Sequence, residues 1–202
     1  PSNIDKYIEK EPDERILALE NLTRIGFFKD ISFNLNKKEI IGLCGLRGSG
    51  RTELFKAIAG IIPADDGWIV NGSGNKVRFK KPAHAIKSGI VYLTEDRDKD
   101  GLINVLSVKD NLTLSSLEKV SNTNFISKKN EAKTVNNLIN LLSIRTPSSN
   151  EAVKNLSGGN RQKVLLGKVF AIKPKVYLLD EPTKGIDIAA KKDILNFIRK
   201  EL

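Results

Sequence analysis

Apolar and polar positions change period along the chain, and the changes place its elements. Ile31, Phe33 and Leu35 alternate with Ser32, Asn34 and Asn36, the period-two pattern of a half-buried strand. Residues 39–44 are apolar almost throughout, which predicts a strand buried on both faces, as inside a helix-covered and largely parallel sheet. A glycine-rich turn leads from that strand into a helix over residues 52–59, giving a strand, loop, helix unit. Asp65, Asp66 and Gly67, then Asn71 and Gly72, supply turn chemistry around short strands near Trp68 and Val77. Pro82 opens a short helix ending at Gly89, and residues 90–93 read as another buried strand.

The middle of the chain is helical in period. Ser107 and Asp110 make a capping-box pattern, and Val135, Leu138, Ile139 and Leu142 recur at helical spacing. Pro147, Ser148, Ser149 and Asn150 break the pattern, and a helix resumes over residues 160–171. Residues 176–179 form the last buried strand. Ala190, Ile194, Phe197, Ile198 and Leu202 then mark a closing amphipathic helix that follows Ile188. Residues 1–14 form a polar lead.

With 202 residues and 40% hydrophobic content, the chain is long enough for one compact domain carrying a lobe. Its longest apolar runs fall short of the roughly 20 residues that cross a bilayer, and no signal-type leader opens the sequence. A membrane role is therefore expected to be indirect. The sequence starts at Pro1 and contains no Met, which reads as an excised segment. One cysteine, Cys44, cannot form an internal disulfide and reads as a small buried hydrophobe in a reducing compartment. The net charge of +10 would suit a nucleic acid, but Lys and Arg are scattered among Asp and Glu, with few aromatics for base stacking. A solvated surface is the reading, with no nucleic-acid partner. The single histidine, His84, reads as a surface residue.

Three motifs carry chemistry. Gly45-Leu46-Arg47-Gly48-Ser49-Gly50-Arg51-Thr52 follows a predicted strand and opens a helix, the setting of a phosphate-binding loop. Glycines there let backbone N–H groups converge on an anion, the helix N-terminus adds partial positive charge, and Thr52 offers a hydroxyl to Mg²⁺. Arg51 stands where that loop has lysine, keeping the charge on a bulkier, planar group. Val176-Tyr177-Leu178-Leu179-Asp180-Glu181 is an apolar strand that delivers Asp180, suited to Mg²⁺ through water, and Glu181, suited to orient the attacking water. Between them lies Leu156-Ser157-Gly158-Gly159-Asn160, a hydroxyl and two glycine N–H groups at a helix start, which is a second anion site. A Ser-Gly-Gly cap alone is common, but the three motifs in this order are not.

In that order the motifs resemble the ABC ATPase family, over nearly the whole chain from about Ile16. Gly48-Ser49-Gly50-Arg51-Thr52-Glu53-Leu54, Glu95-Asp96-Arg97 with Asp100-Gly101-Leu102, and Asp180-Glu181-Pro182-Thr183-Lys184-Gly185-Ile186-Asp187 are similar to the second ATPase half of ribose-, galactose- and xylose-type importers. The resemblance implies an α/β P-loop NTPase fold: a RecA-like core over about 15–96 and 157–202, a β-rich N-terminal part, and a helical lobe over about 97–156. It implies ATP and Mg²⁺ as ligands, with Gly45, Arg47, Glu53 and Asp187 joining the loop and the signature in nucleotide binding, and Glu95 a possible further Mg²⁺ ligand. It implies a second ATPase half, the N-terminal half of the same full-length chain, with each nucleotide held between the P-loop of one half and the signature of the other. Membrane permease subunits at the cytoplasmic face of a bacterial membrane complete the expected assembly.

Two departures from the family pattern bear on activity. Glu95 stands where the family usually has glutamine, and the aromatic that stacks on adenine should fall near Gly26, where Phe27 and Phe28 read as core. With Arg51, they raise an alternative: a regulatory half that binds nucleotide with little hydrolysis at its own loop. If Arg51 and Glu95 both face the γ-phosphate, they are expected to pair without nucleotide. A chromosome-maintenance ABC ATPase is the remaining rival. Such proteins separate the two motifs by a very long coiled coil, whereas here only about a hundred residues intervene.

Overall fold

The computed structural model describes residues 14–122 and 125–201. The polar lead therefore lies outside the described residues except for Glu14, and so does Leu202. β1 (Arg15–Arg24) and β2 (Phe28–Asn36) pair antiparallel, and in β2 Ile31, Phe33 and Leu35 are half-buried while Ser32 and Asn34 face solvent. With β3 (Asp66–Asn71) and β4 (Lys76–Val77) they make one sheet in the order β2-β1-β3-β4. Gly67 has φ +77, and a Cβ there would strike the Asn21 backbone, so the β1–β3 crossing requires glycine.

Between these strands lies α1 (Arg51–Ile58), which buries Leu54, Ala57 and Ile58 against Leu17, Leu22 and Ile69 of the sheet. α2 (Pro82–Lys87), with Pro at its first turn, ends at Gly89, φ +81, and leads into β5 (Ile90–Leu93). His84 is exposed, as expected.

A helical section follows. α3 (Val108–Thr113) starts on a complete capping box between Ser107 and Asp110. α4 (Leu117–Val120) leads to the two-residue strands β6 (Ser121–Asn122) and β7 (Phe125–Ile126), and then to α5 (Lys128–Leu141). α6 (Gly158–Ala171) packs on α3 and α5. Leu112, Val135, Leu166 and Ile194 sit in one apolar cluster here, each worth about 1.5–3 kcal/mol of burial. Gly167 permits the close approach of α6, because a Cβ there would strike Leu112. β8 (Val176–Leu179) pairs in parallel with β5, Ile90 opposite Val176 and Leu93 opposite Leu179. α7 (Ile188–Glu201) closes the described chain.

One predicted element is not formed. Residues 39–44 are not a strand, and Ile40 is 56% exposed. A strand needs a backbone to pair with. β8 pairs with β5 along one edge. An open groove of about 480 Å³ is lined by Ile40, Ile41 and Leu43 together with Tyr177, Leu178 and Leu179. Among the described residues no strand fills it. The apolar run predicted burial on both faces, but the segment is largely exposed and pairs with no strand among the described residues. Cys44 shares this fate: it is an exposed free thiol rather than a buried hydrophobe.

The amides of Ile40 to Cys44 should therefore exchange with solvent at least about a hundredfold faster than those of Val91 to Leu93 in hydrogen-exchange mass spectrometry. Cys44 should react with a maleimide in the absence of denaturant. Equal protection of the two segments and an unreactive thiol would contradict this reading.

Candidate functional site

The phosphate loop keeps its conformation without the strand before it. Ser49 N–H donates to the Leu46 carbonyl at 3.1 Å, closing a turn, and Gly48 and Gly50 have φ +81 and +82. Gly50 is the N-cap of α1 and offers no side chain to the helix, so the N–H groups of Arg51, Thr52 and Glu53 keep no intrahelical partner. Amides freed in this way, at the positive end of a helix, form an anion cradle. A Cβ on Gly50 would run into the Phe27 carbonyl, so the loop is seated against the β1–β2 turn. Phe28 is core, as expected, but Phe27 is not: its side chain is 51% exposed, which places an aromatic residue at the rim of the cradle.

The parallel pair delivers the acidic residues. β8 ends at Leu179, and Asp180, only 5% exposed, accepts a hydrogen bond from the Tyr92 hydroxyl at 3.0 Å. Burial first, then the Asp180 charge beside it, pushes the Tyr92 phenol far above its usual range. Glu181 has φ +44, a left-handed conformation that costs a non-glycine residue of order 1 kcal/mol or more and is found where function demands a particular side-chain direction. Glu95 follows β5 by two residues. Its carboxylate does not meet Arg51, as the sequence suggested. It accepts from Lys184 Nζ at 2.8 Å, and the same ammonium stands 3.6 Å from Glu181. The hydrogen bond to Glu95 raises the Lys184 pKa. The ammonium on the loop beyond Glu181 occupies Glu95, and among the described residues Arg51 makes no ion pair. Lys184 lies three residues after Glu181, and its N–H donates back to the Glu181 carbonyl at 2.9 Å.

The signature serine caps α6: Ser157 Oγ accepts from Asn160 N–H at 3.4 Å and from Asn160 Nδ2 at 3.0 Å. Gly159 is held in a close approach that a side chain would disturb, and Gly158 lies near a movable guanidinium. A Cβ on Gly159 would lie 2.8 Å from that of Ala190 in α7, and one on Gly158 would lie 3.3 Å from Arg97 Nη2. Two contacts missed at the sequence level tie this helix to the carboxylate loop. Gln162 Nε2 donates to the Pro182 carbonyl at 2.8 Å, and Arg97 Nη1 donates to the Lys184 carbonyl at 3.1 Å. Arg161 in turn pairs with Asp98 and donates to Asn104 at 3.0 Å. Asp187 has a structural post here: its carboxylate accepts the Ala190 N–H at 2.9 Å at the start of α7, and backbone hydrogen bonds, that one foremost, lower its pKa.

Gly45, Arg47 and Glu53 lie in or beside the loop as the sequence placed them, and a Cβ on Gly45 would strike the Ser49 side chain. The described residues contain no cluster of three His, Cys, Asp or Glu side chains able to hold a metal alone. A divalent ion, expected from the sequence at Thr52 and Asp180, would need further oxygens from an anionic ligand. The near-complete burial of the Asp180 carboxylate fits that role, because a charge so placed needs partners. Replacing Tyr92 by Phe removes one of them and should cost about 1–3 kcal/mol in urea unfolding at pH 7. Because folding raises the phenol pKa, the tyrosine ionises first in the unfolded state above pH 10, so the native protein loses stability as pH rises from there. Tyr92→Phe lacks that loss, and the gap between the two proteins should narrow above pH 10. A gap that widens would contradict the assignment.

Comparison with known proteins agrees with this geometry. The chain is 44% identical over 187 residues to the ribose import ATP-binding protein RbsA of Geobacillus kaustophilus (strain HTA426), covering 93% of this chain and 38% of that protein. It is 43% identical over 195 residues to RbsA of Clostridium tetani (strain Massachusetts / E88), covering 96% and 38%. The chain thus spans well under half the length of these relatives. Among solved structures, a nucleotide-free ATP-binding cassette from an ABC transporter superposes with TM-score 0.75 at 24% identity, covering 92% of this chain and 76% of that one. A dimeric cassette in a post-hydrolysis state bound to ADP and Pi superposes with TM-score 0.75 at 20% identity, covering 92% and 82%. At these identities the structures show the fold, that of a P-loop ATP-binding cassette. No helix among the described residues is long and apolar enough to cross a membrane. Residues 28–184 match the profile of the ABC transporter family, and on that match, on its relatives and on its fold, the chain belongs to the ABC transporter family.

Proposed function

We propose that this chain binds ATP and, paired with a second ATPase half, hydrolyses it to drive import of a monosaccharide through membrane permease subunits, working peripherally at the cytoplasmic face. The observation that carries the proposal is the pair of helix N-termini: the uncapped start of α1 at Gly50 and the Ser157-Gly158-Gly159 start of α6. One helix start suffices to hold a nucleotide. A second, tied by Gln162 to the loop that carries Asp180 and Glu181, suits a nucleotide held by a partner. The relatives named for ribose import support the sugar, and the second half and the permeases follow from the family reading.

In this reading the amides of Gly48 to Thr52 hold the phosphates, Arg51 supplies charge, and Phe27 offers an aromatic face to the base. Thr52 and Asp180 would hold Mg²⁺, which would supply positive charge beside the transferred phosphoryl group. Glu181 orients the attacking water. Ser157, Gly158 and Gly159 donate to a γ-phosphate held by the partner half, where donors aimed at developing charge act most strongly.

The lysine-to-arginine change at Arg51 and the carboxylate of Glu95 favour an unequal pair of sites, with the slow site at this chain's own loop and the fast one at its signature. Losing one well-aimed donor costs about 10²–10³ in rate. Ser157→Arg should then nearly abolish steady-state ATP turnover of the full-length protein with permease, while Arg51→Ala costs much less. The reverse ranking would sink the unequal-site account. Calorimetry of the paired halves at millimolar ATP and Mg²⁺ tests the more basic claim, and an empty loop at Gly48 to Thr52 would end it.

A further inference from the structure

Glu95 and Lys184, which the reaction as outlined does not use, form a charge cluster with Glu181. Lys184 Nζ lies 2.8 Å from Glu95 and 3.6 Å from Glu181, so one ammonium faces two carboxylates carried on different elements. All three side chains are more than a third exposed, and exposed ion pairs contribute little to folding. The Lys184 backbone, by contrast, is held: its N–H donates to the Glu181 carbonyl and its own carbonyl accepts from Arg97. A fixed backbone beneath a solvated lysine aims the ammonium at the space between the strand ends.

The consequence appears when an anion arrives. Two carboxylates at the strand ends repel a polyphosphate, and the repulsion grows as binding displaces water and lowers the effective dielectric. We infer that Lys184 is a positioning residue that neutralises Glu95 and so lets this site accept a nucleotide polyphosphate despite a carboxylate where a neutral amide would be simpler. The inference rests on the proposed nucleotide site and deepens it. It assigns Glu95 and Lys184 as one compensated pair: the acid is tolerated because the base accompanies it.

A double-mutant cycle on the intact chain, read as MgATP affinity by calorimetry, tests the pair without relying on turnover. Lys184→Ala should weaken binding about tenfold, within the range of couplings measured between contacting residues. Lys184→Arg should retain affinity. Glu95→Gln combined with Lys184→Ala should bind within about threefold of Glu95→Gln alone, because the neutral amide no longer needs a counter-charge. A merely structural lysine would not be rescued by changing Glu95, and thermal unfolding of all variants should stay close to that of the unaltered chain. Unchanged or tighter binding by Lys184→Ala, or a double variant as weak as Lys184→Ala alone, would overturn the pair while leaving the nucleotide site standing. No MgATP binding by the unaltered chain would overturn both.

Discussion

The guanidinium of Arg97 is the contact on which the arrangement depends. It donates to the carbonyls of Lys184 and Gly185, reaches Gln162 at 3.5 Å, and lies against Gly158 at the start of α6. Three segments far apart in sequence thereby meet: the turn after β5, the loop after β8 and the signature helix. A planar group with five donors suits this junction, since a lysine could not address two carbonyls and an amide oxygen in one plane. The position of Ser157 relative to Glu181 is set here rather than by the sheet. The carboxylate loop and the start of α6 are thus in direct hydrogen-bonded contact.

Charge governs the rest of the site. The cradle at α1 is electropositive through its amides and Arg51, whereas the strand ends bring Glu95, Asp180 and Glu181. Each acid is met differently. Asp180 is buried and accepts from Tyr92; Glu181 and Glu95 are exposed and share Lys184. Only the buried contact bears strongly on stability, because exposed pairs are worth about 0–1 kcal/mol. The exposed acids add little to stability, and in the proposed reading their charge is felt once phosphates exclude water. Asp187, which the motif suggested for nucleotide contact, is engaged in starting α7 and in packing beside Gly159.

Much of this was legible in the sequence, and the failures have physical causes. β2, β5 and β8, the helix from Pro82, the helical spacing from Val135 to Leu142, the helix over 160–171 and the capping box at Ser107 follow from period and cap chemistry, which are local. β1 went unread because Leu17, Ala18 and Leu19 are all buried, leaving no alternation to detect. Residues 39–44 were overread because an apolar run announces burial without guaranteeing the neighbour that supplies it. Within the site, glycine and carboxylate spacing was enough to single out the loop, the strand-end acids and the signature as candidates. The pairing of Glu95 was not legible, because the choice between Arg51 and Lys184 depends on which backbone brings its cation within reach. Arg97, Gln162 and Tyr92 left no signal beyond their identity, as their partners lie between 20 and 88 residues away.

The central claim is that one chain serves two phosphate sites, its own through Gly48 and Gly50 and a partner's through Gly158 and Gly159. Amide chemical shifts of these four glycines, followed during MgATP titration with and without the second ATPase half, test it most directly. The account predicts that Gly48 and Gly50 shift in the chain alone, and that Gly158 and Gly159 shift only once the partner half is present. Signature glycines that respond in the isolated chain, or that stay silent in the pair while nucleotide is bound, would contradict it.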